Sequence, residues 1–148
     1  MAERIGAGVA TPSEQNVLSH YTGWGSTPVL RYAFPQRSQY ERVEFSPLSD
    51  EIKELALSDD EIRSMRASSL NAHYTSISII KALWKVLIHI GVTNLKMPRF
   101  LEPSAGIGHF FSAMPVEVAD RSKRVAVELD KLTAEILRLL HPDTTVHN

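Results

Sequence analysis

Hydrophobic positions follow regular periods in the second half of the chain. Hydrophobic residues at steps of three and four positions predict a long helix that begins after Thr75 or Ser76 and ends before Gly91. We expect this helix to face the core with a stripe of Ile77, Ile80, Trp84, Leu87 and Ile88. Shorter apolar runs predict strands at 99–102, 124–129 and from residue 144. Two further helices are predicted between them, at 107–113, before Pro115, and at 131–140. This alternation is typical of parallel strands with right-handed crossovers, so we expect a doubly wound α/β sheet.

The first half of the chain is irregular apart from its helix-start signals. Capping boxes, in which a hydroxyl residue is followed three positions later by Glu, occur at Thr11 with Glu14 and at Ser58 with Glu61. They predict short helices near 12–20 and 59–67, and Ser46-Pro47 is a further helix start. We therefore divide the chain into an N-terminal helical and irregular segment, 1–69, and a second domain, 70–148.

Composition and charge narrow the classes of protein. The 148 residues are 43% hydrophobic and 22% charged, which suits one globular domain. A formal net charge of -1 excludes a global positive field for nucleic acid, and we expect Arg121, Lys123 and Arg124 to form a solvated edge. Cysteine is absent, and the six histidines show no metal-ligand spacing. With no visible signal peptide or membrane span, we expect a cytoplasmic protein with no membrane and no metal partner.

The segment LEPSAGIGHFF, residues 101–111, is the strongest candidate for chemistry. It runs from the end of a strand through the acid Glu102 into a tight turn at Gly106 and Gly108, and then into a predicted helix. Glycines let the backbone approach a ligand closely, and a helix start offers N–H groups. A phosphate loop would have Lys and Ser or Thr beside the glycines, whereas an acid here suits a positive amine. S-adenosylmethionine is such a ligand.

A second acid follows the next predicted strand. Glu128 lies 26 residues after Glu102 (128 minus 102), close to the spacing of about twenty at which dinucleotide folds place a ribose-binding acid. Both acids fall at carboxyl ends of parallel strands, where ligands of such sheets bind. Phe111 stands where the third glycine of the dinucleotide motif would be, which disfavours a pyrophosphate ligand. Structural alternatives stay open: the glycine turn is a common connection, and Glu128 with Asp130 suits an ordinary helix start.

Three motifs together resemble those of the adenine-N6 DNA methyltransferases. The segment at 101–111 resembles motif I, VAVELD at 125–130 resembles motif II, and LNAHYTSISIIKALW at 70–84 resembles motif X. Their order matches one class of these enzymes. The stretch from Tyr21 to Gly25, together with the motif X wording, further resembles the large methyltransferase and helicase fusion proteins of phages, plasmids and conjugative elements. The resemblance implies an incomplete Rossmann-like, S-adenosylmethionine-dependent methyltransferase fold.

The resemblance also implies cofactor-binding positions in all three motifs, namely Tyr74, Thr75, Glu102, Pro103, Ser104, Ala105, Gly106, Gly108, Glu128, Leu129 and Asp130. Glu102 would meet the methionine amino group, and Glu128 would hold the ribose hydroxyls. The backbone of the glycine turn would border the methionine portion, and the motif X pair would close over it. Leu129 or Asp130 would border the adenine of the cofactor. The family more commonly has Asp and Cys at positions 102 and 105. Glu102 keeps the negative charge of Asp, and Ala105 keeps the small size of Cys.

The resemblance does not extend to catalysis. The family stacks a flipped adenine with an Asn or Asp, two prolines and an aromatic residue, and this chain has no Pro-Pro dipeptide and no helicase phosphate-binding motif. We therefore expect the cofactor-binding portion of a DNA adenine-N6 methyltransferase, without catalytic residues, that needs further C-terminal segments and binds DNA as part of a larger protein. The alternative is a noncatalytic module for protein interaction or scaffolding. We also expect the 99–102 strand to have an unpaired edge.

Overall fold

The computed structural model describes residues 10–25, 54, 58–69 and 73–148. These residues fall into two compact units. One comprises the described residues of Met1–Tyr21 and Tyr74–Asn148, and the other those of Thr22–His73. The division lies near the boundary expected at residue 70, but the segment up to Tyr21 belongs with the second half of the chain. The predicted helix start at Ser46-Pro47 lies outside the described residues.

Two helices in the first half begin at the predicted capping boxes, α1 at Pro12–Leu18 and α2 at Asp59–Ser69. The Glu14 carboxylate accepts the backbone N–H of Thr11 at 2.9 Å and its hydroxyl at 2.7 Å. Glu61 makes the same two contacts with Ser58, at 2.8 and 2.6 Å. Both capping boxes are therefore confirmed, since each satisfies N–H groups that a helix start would otherwise leave unpaired.

The second half contains, in order, α3 (Ile77–His89), a 3-10 turn (Val92–Asn94), β1 (Arg99–Glu102), α4 (His109–Ser112), α5 (Val116–Ala119), β2 (Lys123–Val127), α6 (Lys131–Leu140) and β3 (Thr144–His147). The predicted positions of β1, α6 and β3 are confirmed. The helix predicted at 107–113 is shorter, and Pro115, predicted only as a stop, is the N-cap of α5. The strand predicted to reach Leu129 ends at Val127, because the chain must turn there into the start of α6.

The strands form a parallel sheet in the order β1-β2-β3. Each crossover moves to the next position in the same direction, and right-handed crossovers of this kind place all their helices on one face. The core accordingly lies on one side, where Phe100, Ala126 and Val146 pack against residues of the helices. The mixed α/β class is confirmed. Among the described residues, however, helices cover one face only, so the second layer of a doubly wound sheet is not seen there.

The opposite face of the sheet carries the alternate strand residues. In the described part of the chain nothing covers Leu101, which is 65% exposed, or Arg99 and Lys123 beside it. Within the described strands β1 pairs only with β2, from Arg99 opposite Lys123 to Glu102 opposite Ala126. In the described part of the chain, the other edge of β1 has no strand partner.

Trp84 anchors α3 to the sheet. Its side chain is buried, and its indole N–H donates to the carbonyl of Phe110 at 2.8 Å. The ring packs edge-on against Phe100 at 5.4 Å and lies 4.8 Å from the Phe110 ring. In the middle of the predicted stripe, Ile80 and Trp84 are buried. At its two ends the prediction of a core position is wrong, because Ile77 and Ile88 are exposed. The helix meets the sheet through its central turns.

Two of the arginines expected at a solvated edge have structural partners instead. The Arg121 guanidinium donates to three backbone carbonyls, those of Thr93, Leu95 and Glu117. Arg124 has a largely buried side chain that lies 3.7 Å from the carboxylate of Asp143. The expectation is wrong for these two, because both reach loops that are remote in sequence, and Lys123 is the exposed member of the three.

Leu137 offers a test of the one-sided core. Its side chain is fully buried within the helical layer, whereas Leu129, just before α6, is 76% exposed. We expect Leu137→Ala to lower the free energy of unfolding by about 2–5 kcal/mol, because it removes buried methyl groups and leaves a cavity. The matched change Leu129→Ala should alter it by less than about 0.5 kcal/mol. Urea unfolding followed by circular dichroism measures both, and equal losses would contradict the assigned core.

Candidate functional site

The loop between β1 and α4 lies at the carboxyl edge of the sheet. The backbone N–H of Ala105 donates to the carbonyl of Val127 at 3.1 Å, so the loop crosses the end of β2. The N–H of Gly108 then donates back to the carbonyl of Ala105 at 2.9 Å. Glu102 ends β1 and Glu128 follows β2, so the structure brings both predicted acids to this edge.

Glu128 joins the loop to the start of α6. One carboxylate oxygen accepts the backbone N–H of Gly106 at 2.8 Å, and the other accepts the N–H of Asp130 at 2.9 Å. The Asn148 side chain donates to the backbone carbonyl of Glu128 at 2.9 Å. Sequence reasoning assigned Glu128 to ligand hydroxyls and missed these internal contacts. A carboxylate has about four lone-pair sites, so each oxygen can accept a further hydrogen bond.

Gly106 and Gly108 are required by the protein's own packing. Their φ angles of +53° and +86° lie in the left-handed region that favours glycine. A Cβ on Gly106 would lie 2.9 Å from Cε1 of Tyr74, and one on Gly108 would lie 2.5 Å from the His141 ring and 2.6 Å from Leu137. We expected the glycines to leave room for a ligand. The space is instead filled by side chains of the same unit.

Tyr74 is the motif X residue that reaches the loop. Its ring covers Gly106 and meets His109 edge-on, with 5.4 Å between ring centroids. Burial raises the pKa of the Tyr74 hydroxyl well above its ordinary value, and the nearby carboxylates of Glu128 and Asp130 raise it further. Tyr74 is therefore a neutral hydrogen-bonding group at physiological pH. Thr75 is exposed.

Glu102 is the acid without an internal role. Its side chain is half-buried, and its carboxylate has no hydrogen-bond or ion-pair partner among the described residues. Burial raises its pKa because the charged form is deprived of water. Pro103 and Ser104 beside it are exposed, and Ala105 is buried. A positively charged group beside Glu102 would stabilise the ionised carboxylate and so replace the hydration that burial removes.

The two residues expected to border an adenine differ in accessibility. Asp130 is 1% exposed and is the N-cap of α6, where one oxygen accepts the N–H of Thr133 at 2.9 Å and its hydroxyl at 2.5 Å. This is the structural alternative that the sequence left open, and it leaves the carboxylate buried. Leu129 presents its side chain at the surface.

Two histidines that sequence reasoning did not assign lie beside the loop. The His141 ring packs under Gly108 with its Nε2 3.2 Å from the Ser112 hydroxyl, and burial, then the Arg124 charge, lower its pKa to about 4. Burial also lowers the pKa of His109, whose Nδ1 is buried without a hydrogen-bond partner in the described part of the chain. Both are therefore neutral at pH 7. Only the position of His141 at a helix end hinted at a structural role.

Other kinds of site find no support in the described residues. No group of three acidic or histidine side chains there is arranged to hold a metal ion. None of the helices in that part of the chain is both long and apolar enough to cross a bilayer. No family model, curated protein or solved structure matches this chain.

Substitution of the glycines tests the geometry of the loop. Gly108→Ala should destabilise the protein by more than the about 1 kcal/mol that a left-handed alanine alone costs, because its Cβ would collide with His141 and Leu137. Gly106→Ala should cost less, since the Tyr74 ring at its surface can shift. Thermal unfolding of the two variants measures the difference, and the reverse order would contradict the contacts described.

The buried His141 predicts a pH dependence of stability. Its pKa is about 4 when folded and 6.5 ordinarily, so the unfolded chain binds the proton more tightly. The stabilisation is complete above about pH 6.5 and is lost as the pH falls towards 4, and the gap corresponds to about 3 kcal/mol. Unfolding free energies of wild type and His141→Gln between pH 4 and 7 should show a shallower slope in the variant. Parallel slopes would contradict a buried neutral ring.

Proposed function

We propose that this chain is the cofactor-binding portion of an S-adenosylmethionine-dependent DNA adenine-N6 methyltransferase. The observation that carries the proposal is Glu102, a half-buried carboxylate without a partner in the described residues, beside a glycine loop fixed by Glu128. Both acids stand at the carboxyl ends of parallel strands, which is where ligands of such sheets bind. The three resembling motifs supply the identity of the ligand and the reaction.

The chemistry of the available groups fits the cofactor. The Glu102 carboxylate matches the amino group of the methionine portion, and its half-buried setting strengthens that attraction relative to water. The free lone pairs of Glu128 match the two ribose hydroxyls. Leu129 offers an exposed apolar side chain for the adenine, and the neutral Tyr74 ring stands over the loop. Pro103, Ser104 and Ala105 form the part of the loop that follows Glu102 and leads to Gly106.

S-adenosylmethionine, when bound, supplies an electrophilic methyl group on a sulfonium. The residues of this chain bind and orient the cofactor, with Glu102 at one end and Glu128 at the other, so that the methyl group is held in one direction. Such positioning is a large part of the barrier reduction in a bimolecular displacement. The DNA adenine would be held by segments outside this chain, and we assign no catalytic residue here.

A noncatalytic module is the second candidate function. It is favoured by the internal contacts of Glu128, because Gly106 and Asp130 already occupy one lone pair on each oxygen. A loop held by such internal hydrogen bonds keeps its conformation without a ligand. A domain of this kind could serve in protein interaction or scaffolding within a mobile element's protein.

Calorimetric titration with S-adenosylmethionine and S-adenosylhomocysteine tests the proposal. We expect the wild type to bind both, and Glu102→Gln to bind them roughly tenfold to a hundredfold more weakly, as removal of a charge-assisted hydrogen bond of about 1.5–3 kcal/mol predicts. The fold should be unharmed, because Glu102 has no partner in the described residues. Glu117→Gln, at an exposed position on α5, is the matched control.

The outcome separates the two candidates. Binding that is weakened in Glu102→Gln and unchanged in Glu117→Gln supports the methyltransferase portion. A wild type that unfolds cooperatively but takes up neither ligand would overturn it in favour of the noncatalytic module.

A further inference from the structure

The segment Ala10–Tyr21, which we call the N-terminal strap, packs beside the glycine loop. Ala10 and Leu18 are buried in a small apolar cluster with Ile107 of the loop and Ile136 of α6. The Gln15 side chain also donates to a backbone carbonyl of α6, that of Leu139, at 3.5 Å. The strap therefore covers α6 and the inner side of the loop together, although it lies more than a hundred residues away from α6 in sequence.

The strap ends in a partly buried polar contact. The Tyr21 hydroxyl lies 3.3 Å from the hydroxyl oxygen of Thr133, which is itself 2.5 Å from the Asp130 carboxylate. The Thr133 hydroxyl is the donor in both contacts, so its single proton is shared between the Asp130 carboxylate and the Tyr21 hydroxyl oxygen, with the shorter contact to Asp130. Because Thr133 and Asp130 are both buried, this pairing is stronger than it would be in water.

The same contacts continue to the glycine loop. Asp130 caps α6 through its side chain and donates its backbone N–H to Glu128 at 2.9 Å. The other oxygen of Glu128 accepts the N–H of Gly106 at 2.8 Å. A continuous path thus runs from the strap through Tyr21, Thr133, Asp130 and Glu128 to the backbone of the loop. A shift of Asp130 as a whole would therefore displace both its side-chain cap and the backbone N–H that holds one oxygen of Glu128.

We propose that Tyr21 is a positioning residue for the candidate site: through Thr133 and Asp130 it sets the orientation of the Glu128 carboxylate and, with it, the glycine loop. The consequence for a ligand, at the ribose hydroxyls, rests on the proposed function. The consequence for the loop itself does not, because the path consists only of contacts within the protein.

Hydrogen exchange tests the path without any ligand. Tyr21→Phe removes one hydrogen bond and should speed amide exchange at Gly106 and Asp130 by about fivefold, the worth of one such bond. Thr133→Val removes the hydroxyl contacts with both Tyr21 and Asp130, so it should speed this exchange by more. Thr133→Ser keeps the hydroxyl and should exchange like wild type, as should Val17→Ala at an exposed position of the strap. The amides of Ala126 and Leu137 report global opening and should change less.

A ligand arm tests the second consequence. Tyr21→Phe should weaken the binding of S-adenosylhomocysteine by about fivefold. It should weaken the binding of the 2′-deoxy analogue by much less, because that analogue lacks one of the two hydroxyls that would contact Glu128. Equal weakening of the two ligands, or unchanged exchange at Gly106 and Asp130 in Tyr21→Phe, would overturn the proposal. If the folded wild type binds neither ligand, the proposed function fails, and the exchange measurement still decides whether Tyr21 positions the loop.

Discussion

Both oxygens of the Glu128 carboxylate accept backbone N–H groups, one from the loop after β1 and one from the start of α6. The two crossovers of the sheet meet at this point, and each begins with N–H groups that its own helix cannot satisfy. One side chain therefore fixes the relative position of the first loop and the second helix. Every other feature of the candidate site, including Tyr74 over Gly106 and the Asp130 cap, is placed relative to that bridge.

Glu102 stands in contrast to Glu128. Burial of a carboxylate without a partner costs free energy, and the raised pKa of Glu102 expresses that cost. Groups whose pKa is perturbed by burial cluster at functional sites, where a ligand provides the missing interaction. The two glycines do not indicate a ligand in this way, because contacts with Tyr74, His141 and Leu137 of the same unit account for both of them. A ligand is therefore indicated by Glu102, the acid of the loop, rather than by the glycines.

Local signals predicted much of this unit from sequence. The capping boxes at Thr11 and Ser58 and the bounds of β1, α6 and β3 follow from residues within a few positions of one another. The rest depends on contacts that are remote in sequence. Gly108 is required by the His141 ring, Arg121 reaches carbonyls of another loop, and Tyr21 meets Thr133 across 112 positions. Periodicity describes one element at a time and contains no information on such pairs.

The boundary expected at residue 70 shows how contacts that are remote in sequence change a prediction made from local signals. The hydrophobic periods become regular there, yet the strap before it shields Ile107 and Ile136, which are 1% and 4% exposed. Without the strap, these side chains and the Thr133 and Asp130 pair would face water, and the low dielectric that strengthens the path to Glu128 would be lost. The β-α-β portion can form its sheet through local crossovers. The orientation of the Glu128 carboxylate, by our inference, is determined by Tyr21, a residue from the other end of the chain.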